Sequence, residues 1–440
     1  MLEQVSHPYL TTELQVLRSQ GKQVCLDGDL TGLPVSNTSQ TYPHAAFGHM
    51  NDEIRLGYQA GVVSLASPTY GRLWLSVAHH PGDTVSCTQA EALVLAAEAR
   101  LKRRPRRPTR LLRQRIHAFE QQVTHIGERL ETQQQAVKRA KQRLAEAEQQ
   151  VQERKLQVAE LEKHYQTRKL QERPTSRLAQ ARQRRHSAVK RLNSRKSFCK
   201  EAQRRLDKTT AKLCQQQTEL ADLCQRLRRF EQDNAANAEP IAAEFRLDAG
   251  FGTYGNVALL IEMGYEVYTK PHSHKIVTYL KGQVDDTLTW TPVGANAELV
   301  AWPTLQLKHC PYPLDVALER FYTGKTLKQS ALFHFGSEPV TEHLPRWFQQ
   351  YNGRQTIEAG IKESKQVFYL HHLKVRSEPA IYLQEAFVLF AANFIRWASH
   401  WLQAQAQPAE NALNVRKLGV KRQVQVAAHV SAQVIGDRGR

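Results

Sequence analysis

A heptad pattern in the middle of the chain restricts the possible folds more than any other feature. From Ile116 to Tyr165, apolar residues recur every seven positions, and apolar companions often follow three positions later. A second series with the same spacing runs from Leu178 to Leu227 and is interrupted at Arg185. The two series predict two long helices that pack along narrow apolar seams.

A short segment, Arg-Pro-Thr-Ser at residues 173–176, separates the two series. Proline ends a helix, and Thr or Ser favours the start of the next one. Two arms of similar length around one turn predict an antiparallel coiled-coil hairpin whose arms each reach roughly 80 Å. A parallel dimeric coiled coil is the alternative.

The segments on both sides of the hairpin have the pattern of an α/β domain, in which short apolar runs end at turn residues. The predicted strands are residues 23–26, 58–65, 72–78, 245–247 and 265–269, and the predicted helices are residues 88–101 and 255–263. Without the hairpin, these elements form one compact α/β domain.

The last third of the chain combines short apolar runs with two helical segments. Strands are predicted at 276–280, 287–290, 299–307 and 332–335, which together form a β-rich insert, and helices at 347–368 and 382–402. The expected division is therefore 1–103 and 241–275 for the two parts of the α/β domain, 104–240 for the hairpin, 276–345 for the insert, 346–405 for the two helices and 406–440 for a flexible basic tail.

The charge and cysteine content narrow the class of protein. The chain has 61 Lys and Arg residues against 42 Asp and Glu residues, a formal charge of +19, which favours a polyanionic partner. Six cysteines without a C-x-x-C pair indicate neither a zinc site nor a disulfide framework. The N-terminus lacks a signal peptide, and Glu385 and Arg396 interrupt the longest apolar segment, so we expect a cytoplasmic protein without a membrane span.

Two aspartates follow predicted strands at equivalent places. Asp29 stands where the first strand ends, and Asp248 stands at the end of the fourth. Adjacent pairing of these strands would bring the two carboxylates together, an arrangement suited to holding Mg²⁺ beside a phosphate. Asp27 points the same way on an extended strand and is the alternative to Asp29.

A third carboxylate belongs to a predicted helix. Tyr351, Arg354, Glu358 and Lys365 are offset by 0, 3, 7 and 14 residues. At 100° per residue they lie within about 60° of one another, so one helix face carries a carboxylate, an aromatic hydroxyl and two cations. Such a face suits a phosphate backbone, whereas any one of these residues alone is more typical of an ordinary solvated surface.

These motifs resemble the DDE transposases of bacterial insertion sequences, specifically the cut-and-paste branch with the helix signature Y-x2-R-x3-E-x6-K. The four helix residues match that signature without a gap. Asp29-Leu-Thr is similar to the D-x-T motif of the family, and Asp248, followed by glycine-rich sequence, is similar to its second motif. The resemblance covers roughly residues 20–101 and 241–402, and the β-rich segment also looks like the insert of this branch.

The resemblance implies an RNase H-like fold and Mg²⁺-dependent DNA cleavage and strand transfer during transposition of an insertion sequence. Two Mg²⁺ ions, with Mn²⁺ as a substitute, would be held by Asp29, Asp248 and Glu358; one would activate water or a DNA 3′-hydroxyl and the other would stabilise the leaving oxygen. Tyr351, Arg354 and Lys365 would contact DNA phosphates near the transposon end. The implied partners are transposon-end and target DNA and further copies of the chain, in a homodimer or a higher synaptic assembly.

Family members usually carry a separate N-terminal region that binds the transposon end, but here the first predicted strand begins at Gln23. We therefore expect a shortened copy. The alternative function is that of a truncated, noncatalytic relative that acts as a DNA-binding or coiled-coil assembly protein. Residues 168–205 contain fourteen Lys or Arg and two Glu residues. Two interpretations fit this charge: contact with phosphate groups, or an ordinary solvated surface of the coiled coil.

Overall fold

The computed structural model describes residues 2–36, 42–50, 53–285, 287–373, 375–405 and 419–428. It divides into two compact units, which we call the α/β unit, Met1–Pro108 with Glu231–Arg440, and the hairpin unit, Thr109–Phe230. The mixed α/β class and the long helical pair predicted from the sequence are confirmed.

Ten strands in the described part of the chain form one mixed sheet. They are β1 (Val24–Pro34), β2 (Ala46–Met50), β3 (Glu53–Ser67), β4 (Gly71–Pro81), β5 (Ala243–Arg246), β6 (Glu266–Thr269), β7 (Thr291–Pro292), β8 (Ala297–Leu305), β9 (Leu314–Thr323) and β10 (Thr326–Phe335). The order is β2-β3-β1-β5-β6-β10-β9-β8-β7, and β4 also pairs with β3. The central strands β1, β5 and β6 are parallel, and β3 is antiparallel to β1 and β4.

The helices of the α/β unit are α1 (Leu2–Ser19), α2 (Ala90–Leu101), α5 (Tyr254–Glu262), α6 (Lys275–Lys281), α7 (Leu344–Asn352), α8 (Gln355–Val367), α9 (Glu378–Gln405) and α10 (Val420–Ala428). All four residues of β5 are buried, as expected for a parallel strand with both faces covered. Ile357 of α8 and Leu389 of α9 pack with Trp74 of β4 in one apolar cluster, which fixes α8 against the sheet. No described helix combines the length and apolar character that crossing a membrane requires.

The hairpin unit consists of α3 (Thr109–Thr167) and most of α4 (Arg177–Ala236). Ion pairs between the helices join residues whose numbers rise along α3 and fall along α4, so the helices are antiparallel. These pairs are Arg115 with Glu219 at 3.8 Å, Glu148 with Lys196 at 3.9 Å and Glu162 with Arg182 at 2.8 Å. Near the turn, Val158 packs against Leu178 and Ala181, as the heptad seams predict.

Several predicted elements were wrong. Residues 276–280 form helix α6 and not a strand, because a short apolar run with β-branched residues fits either structure. Residues 287–290 are not in a strand, whereas β9 was not predicted. The segment predicted to be β-rich, 276–345, contains β7 to β10, and these strands extend the central sheet because β10 pairs with β6.

Three further elements differ from the prediction. Helix α1 and strand β2 were not predicted. The tail expected to be flexible at 406–440 contains α10, which contacts α8 and α9. The rest of that tail lies outside the described residues.

Candidate active site

Strands β1 and β5 bring Asp29 and Asp248 to matching positions. The last residues of their parallel pairing are Asp27 and Arg246, and each aspartate follows two residues later. Paired strands advance equally per residue, so the aspartates lie at the same level on neighbouring chain segments. One detail of the prediction was wrong: β1 continues to Pro34, so Asp29 lies within its strand and only the neighbour β5 ends.

Asp29 is a nearly buried carboxyl group with 13% of its side chain exposed. Burial raises its pKa from 3.8 to about 7, the negative charges of Asp248 and Glu358 add to the increase, and Arg354 opposes it. One carboxylate oxygen, Oδ1, accepts a hydrogen bond from the backbone N–H of Leu30 at 2.8 Å. Asp29 therefore changes its protonation state near neutral pH.

Arg354 links two of the predicted carboxylates. Its Nη1 lies 3.4 Å from Oδ2 of Asp29, and its Nη2 lies 2.6 Å from Oε1 of Glu358. The guanidinium is almost buried, whereas the Glu358 side chain is 57% exposed. Glu358 lies in the first turn of α8, where the helix dipole also favours a negative charge.

The single helix predicted at 347–368 is broken into α7 and α8 at Gly353 and Arg354. A Cβ on Gly353 would collide with Nη1 of Arg246, so a larger residue at this position would displace the guanidinium that pairs with Asp27. The four signature residues consequently do not form a face of one continuous helix. Arg354 nevertheless reaches Glu358, because it directly precedes α8 and Glu358 lies one turn further on.

Tyr351 lies in the last turn of α7 and is buried. Burial raises the pKa of its hydroxyl above the usual value, Asp248 adds to the increase and Arg354 opposes it, so the phenol stays protonated at neutral pH. The ammonium of Lys270 lies 5.5 Å from the centroid of the Tyr351 ring and 3.0 Å from Glu319. Lys270 follows β6 directly and was not predicted to belong to the site. Its position, immediately after a strand that is parallel to β5, would have indicated it.

Lys365 approaches β1 from the last turn of α8. Its Nζ donates to the carbonyl oxygen of Gly32 at 2.8 Å. Burial lowers the pKa of Lys365, and the charge of Asp29 opposes that effect. The structure thus turns Tyr351, Arg354 and Lys365 toward the protein, and their contact with DNA phosphates stays a prediction.

Asp27 has a different environment from Asp29. Its buried carboxylate accepts two hydrogen bonds from Arg246, at 2.7 and 2.8 Å, in a bidentate ion pair. Arg246 also donates to the carbonyl oxygen of Gln350 at 2.8 Å, which connects β5 to α7. The carboxylate of Asp27 is therefore engaged in an ion pair that joins β1 to β5, whereas Asp29 is the aspartate of β1 whose pKa is raised by the charge of Asp248.

Asp248 has an oxygen atom without a partner. Its Oδ1 is buried and forms no hydrogen bond with any described residue. A buried carboxylate oxygen without a donor is costly unless a cation or water compensates it. The following turn needs glycine, because a Cβ on Gly252 would overlap the carbonyl oxygen of Lys270.

The donor set fits a hard divalent cation. Mg²⁺ is bound through one or two carboxylates together with water and substrate phosphate, and Asp29, Asp248 and Glu358 supply such oxygens. Two features support this fit. Oδ1 of Asp248 has no hydrogen-bond partner among the described residues, and the negative charges of Asp248 and Glu358 add to the effect of burial on the pKa of Asp29. Within the described residues, no three His, Cys, Asp or Glu side chains already stand at ligating distances, and Arg354 lies between two of the carboxylates.

No protein-family model and no curated protein matches this chain.

Proposed function

We propose that the chain is a DNA transposase that cleaves DNA strands and transfers them to a target with Mg²⁺. The observation that carries the proposal is the convergence of three carboxylates from distant parts of the sequence. Asp29 and Asp248 occupy matching positions after the β1–β5 pairing, and Arg354 joins Asp29 to Glu358.

The arrangement of the sheet supports an RNase H-like fold for the α/β unit. Leaving out the short β2, the strand order β4-β3-β1-β5-β6 places three parallel strands beside an antiparallel pair. This order is typical of RNase H-like domains, in which acidic residues from the first and fourth strands lie side by side. The remaining four strands extend this sheet beyond β6.

The carboxylates of Asp29, Asp248 and Glu358 would hold two Mg²⁺ ions. When bound, the ions would activate water or a DNA 3′-hydroxyl and stabilise the leaving oxygen. Arg354 keeps Asp29 and Glu358 close together and partly neutralises their charges. Tyr351 keeps its hydroxyl proton at neutral pH, so in the proposed contact with a phosphate oxygen it would act as a hydrogen-bond donor. Lys365 places a further cation beside β1.

The test compares Asp248→Asn with Asp222→Asn, which removes the same charge from an exposed position of the hairpin unit. Both proteins and the unmodified chain are incubated with Mg²⁺ and labelled duplexes from the DNA on either side of this coding sequence. We expect Asp248→Asn to lower the rates of strand cleavage and joining more than about 100-fold, since even partners behind the metal ligands contribute 10- to 100-fold. Asp222→Asn should retain the full rate.

Equal rates for Asp248→Asn and the unmodified chain would refute the proposal. Binding of the duplexes without cleavage in Mg²⁺ or Mn²⁺ would also refute it and would favour a noncatalytic DNA-binding or assembly protein. Calorimetric titration with Mn²⁺ provides a second readout. We expect the unmodified chain to bind Mn²⁺ and the Asp248→Asn variant to bind it at least about tenfold more weakly.

A further inference from the structure

Helix α4 of the hairpin unit carries a strongly basic segment that the proposed chemistry does not use. Between Arg177 and Lys200 the sequence contains nine Lys or Arg residues and no Asp or Glu residue. Helical surfaces that are merely solvated usually mix the two signs of charge. A segment with one sign repels itself unless an anion compensates it.

Most of these cations are without an acidic partner. Arg182 pairs with Glu162 and Glu172, and Lys196 lies 3.9 Å from Glu148. The other seven are exposed and form no ion pair with any described residue: Arg177, Arg184, Arg185, Lys190, Arg191, Arg195 and Lys200. Their charges are therefore available to a ligand.

Four of the seven form a line along the helix. Arg177, Arg184 and Arg191 follow one another at steps of seven residues, and Arg195 is four residues further on. At 100° per residue, all four lie within about 40° of one another, and each step of seven advances roughly 10 Å along the axis. We call these four residues the arginine stripe.

The opposing arm of the hairpin differs in charge. The antiparallel ion pairs place residues 144–167 of α3 opposite residues 177–200 of α4. That part of α3 contains five Glu residues against three Lys or Arg residues. The positive charge is thus concentrated on one of the two helices, which gives the hairpin unit a basic side.

We propose that the arginine stripe binds the phosphate backbone of duplex DNA, independently of the catalytic carboxylates. Residues 177–200 span roughly 36 Å, which corresponds to about ten base pairs. Arginine suits this role because its planar guanidinium donates two parallel hydrogen bonds to phosphate oxygens. A membrane surface fits less well, because a membrane-binding helix needs a continuous apolar face and the large exposed apolar residues of this segment are only Val189 and Phe198.

The experiment measures binding of the full chain to a fluorescein-labelled 30-base-pair duplex of arbitrary sequence. EDTA is present, so that no divalent metal takes part and no cleavage occurs. The test variant replaces the four arginines of the stripe with Gln. A matched control removes the same charge from exposed cations of α3 that also form no ion pair with a described residue: Lys138, Arg139, Lys141 and Arg143.

We expect the stripe variant to raise the apparent Kd at least about tenfold at low salt and the control variant to raise it less than about threefold. The slope of log Kd against log salt should become shallower by about 3 to 4 in the stripe variant, since each lost phosphate contact removes roughly 0.9. A third variant with Lys at the four stripe positions keeps the charge but not the paired hydrogen bonds of Arg, so it should bind more tightly than the Gln variant and more weakly than the unmodified chain. Circular dichroism checks that the helix content is equal in all three.

Equal weakening by the stripe and control variants would overturn the inference, because total charge would then explain binding. An affinity of the Lys variant as weak as that of the Gln variant would overturn it as well, since Lys retains the charge. Binding to vesicles that contain phosphatidylserine but not to the duplex would assign the surface to a membrane. A chain that binds DNA through the stripe but cleaves none would refute the proposed function and leave this inference intact.

Discussion

Replacement of Asp29 by Asn should stabilise the protein, and the stabilisation should grow as the pH rises toward 8. Asp29 has a folded-state pKa of about 7 because it is buried, against about 3.8 when the chain is unfolded. The folded protein therefore binds the proton more tightly than the unfolded chain does. The stability that the protonated group contributes is present below about pH 4 and is lost as the pH rises to about 7.

The size of the effect follows from the same difference. About three pKa units correspond to roughly 4 kcal/mol between low pH and pH 8, and about 2.5 kcal/mol of this is lost between pH 5 and pH 8. The Asn variant lacks this loss but also lacks the attraction between Asp29 and Arg354. We therefore expect Asp29→Asn to raise the unfolding temperature of the α/β unit by about 5 °C at pH 8 and by much less at pH 5.

Scanning calorimetry in EDTA at the two pH values measures this difference. Asp222→Asn is the control, because that exposed aspartate should leave the unfolding temperature unchanged at both. A second comparison is Asp27→Asn, two residues before Asp29, which should lower the unfolding temperature because it weakens the bidentate pair with Arg246. An Asp29→Asn variant that is less stable than the unmodified chain at pH 8, or that shifts equally at both pH values, would refute the reasoning.

Two further predictions concern buried charges outside the carboxylate cluster. Arg246→Met leaves the carboxylate of Asp27 buried without its partner. It should lower the free energy of unfolding, measured by urea denaturation, by about 3 to 5 kcal/mol. A decrease below about 1 kcal/mol would contradict the structural role of the pair. Burial alone would lower the pKa of His334, but hydrogen bonds with Asp315 and Glu266 raise it above 6.5. The stability that the protonated His334 contributes is therefore present below about pH 6.5. It is lost as the pH rises through the folded-state pKa. His334→Gln should flatten that part of the stability profile in calorimetry from pH 6 to pH 9, and an unchanged profile would exclude His334 as its source.

Periodic patterns and strand positions carried most of what the sequence predicted. The heptad seams gave the two helices of the hairpin unit, because spacing over many turns cannot arise from a strand or loop. The pairing of Asp29 with Asp248 needed only the assumption that their strands are neighbours. The first prediction depends on a spacing that repeats over many turns. The second depends on positions along two strands, which the direction of the backbone fixes.

Two predictions failed because the local sequence does not show which distant segment packs nearby. The sequence Asp27-Gly-Asp29 has the composition of a turn, yet β3 pairs with residues 26–34 and continues the strand through it. The prediction of one helix at 347–368 missed the break at Gly353, where the guanidinium of Arg246 lies close to the backbone. Local propensity contains no information about either partner.

The charge balance of the candidate site explains why its residue types could be predicted and its arrangement could not. Three carboxylates meet Arg354 and Lys365, so the ionised cluster has one net negative charge, and a proton on Asp29 would bring it to zero. Arg354 lies between Asp29 and Glu358 and offsets part of their negative charge. From its spacing, Arg354 was predicted to lie on a helix face that contacts DNA. Spacing shows which residues share a helix face, but it does not show which of them form ion pairs within the protein. Under the proposed function, the guanidinium of Arg354 and a divalent cation would be two alternative means of neutralising the same carboxylates.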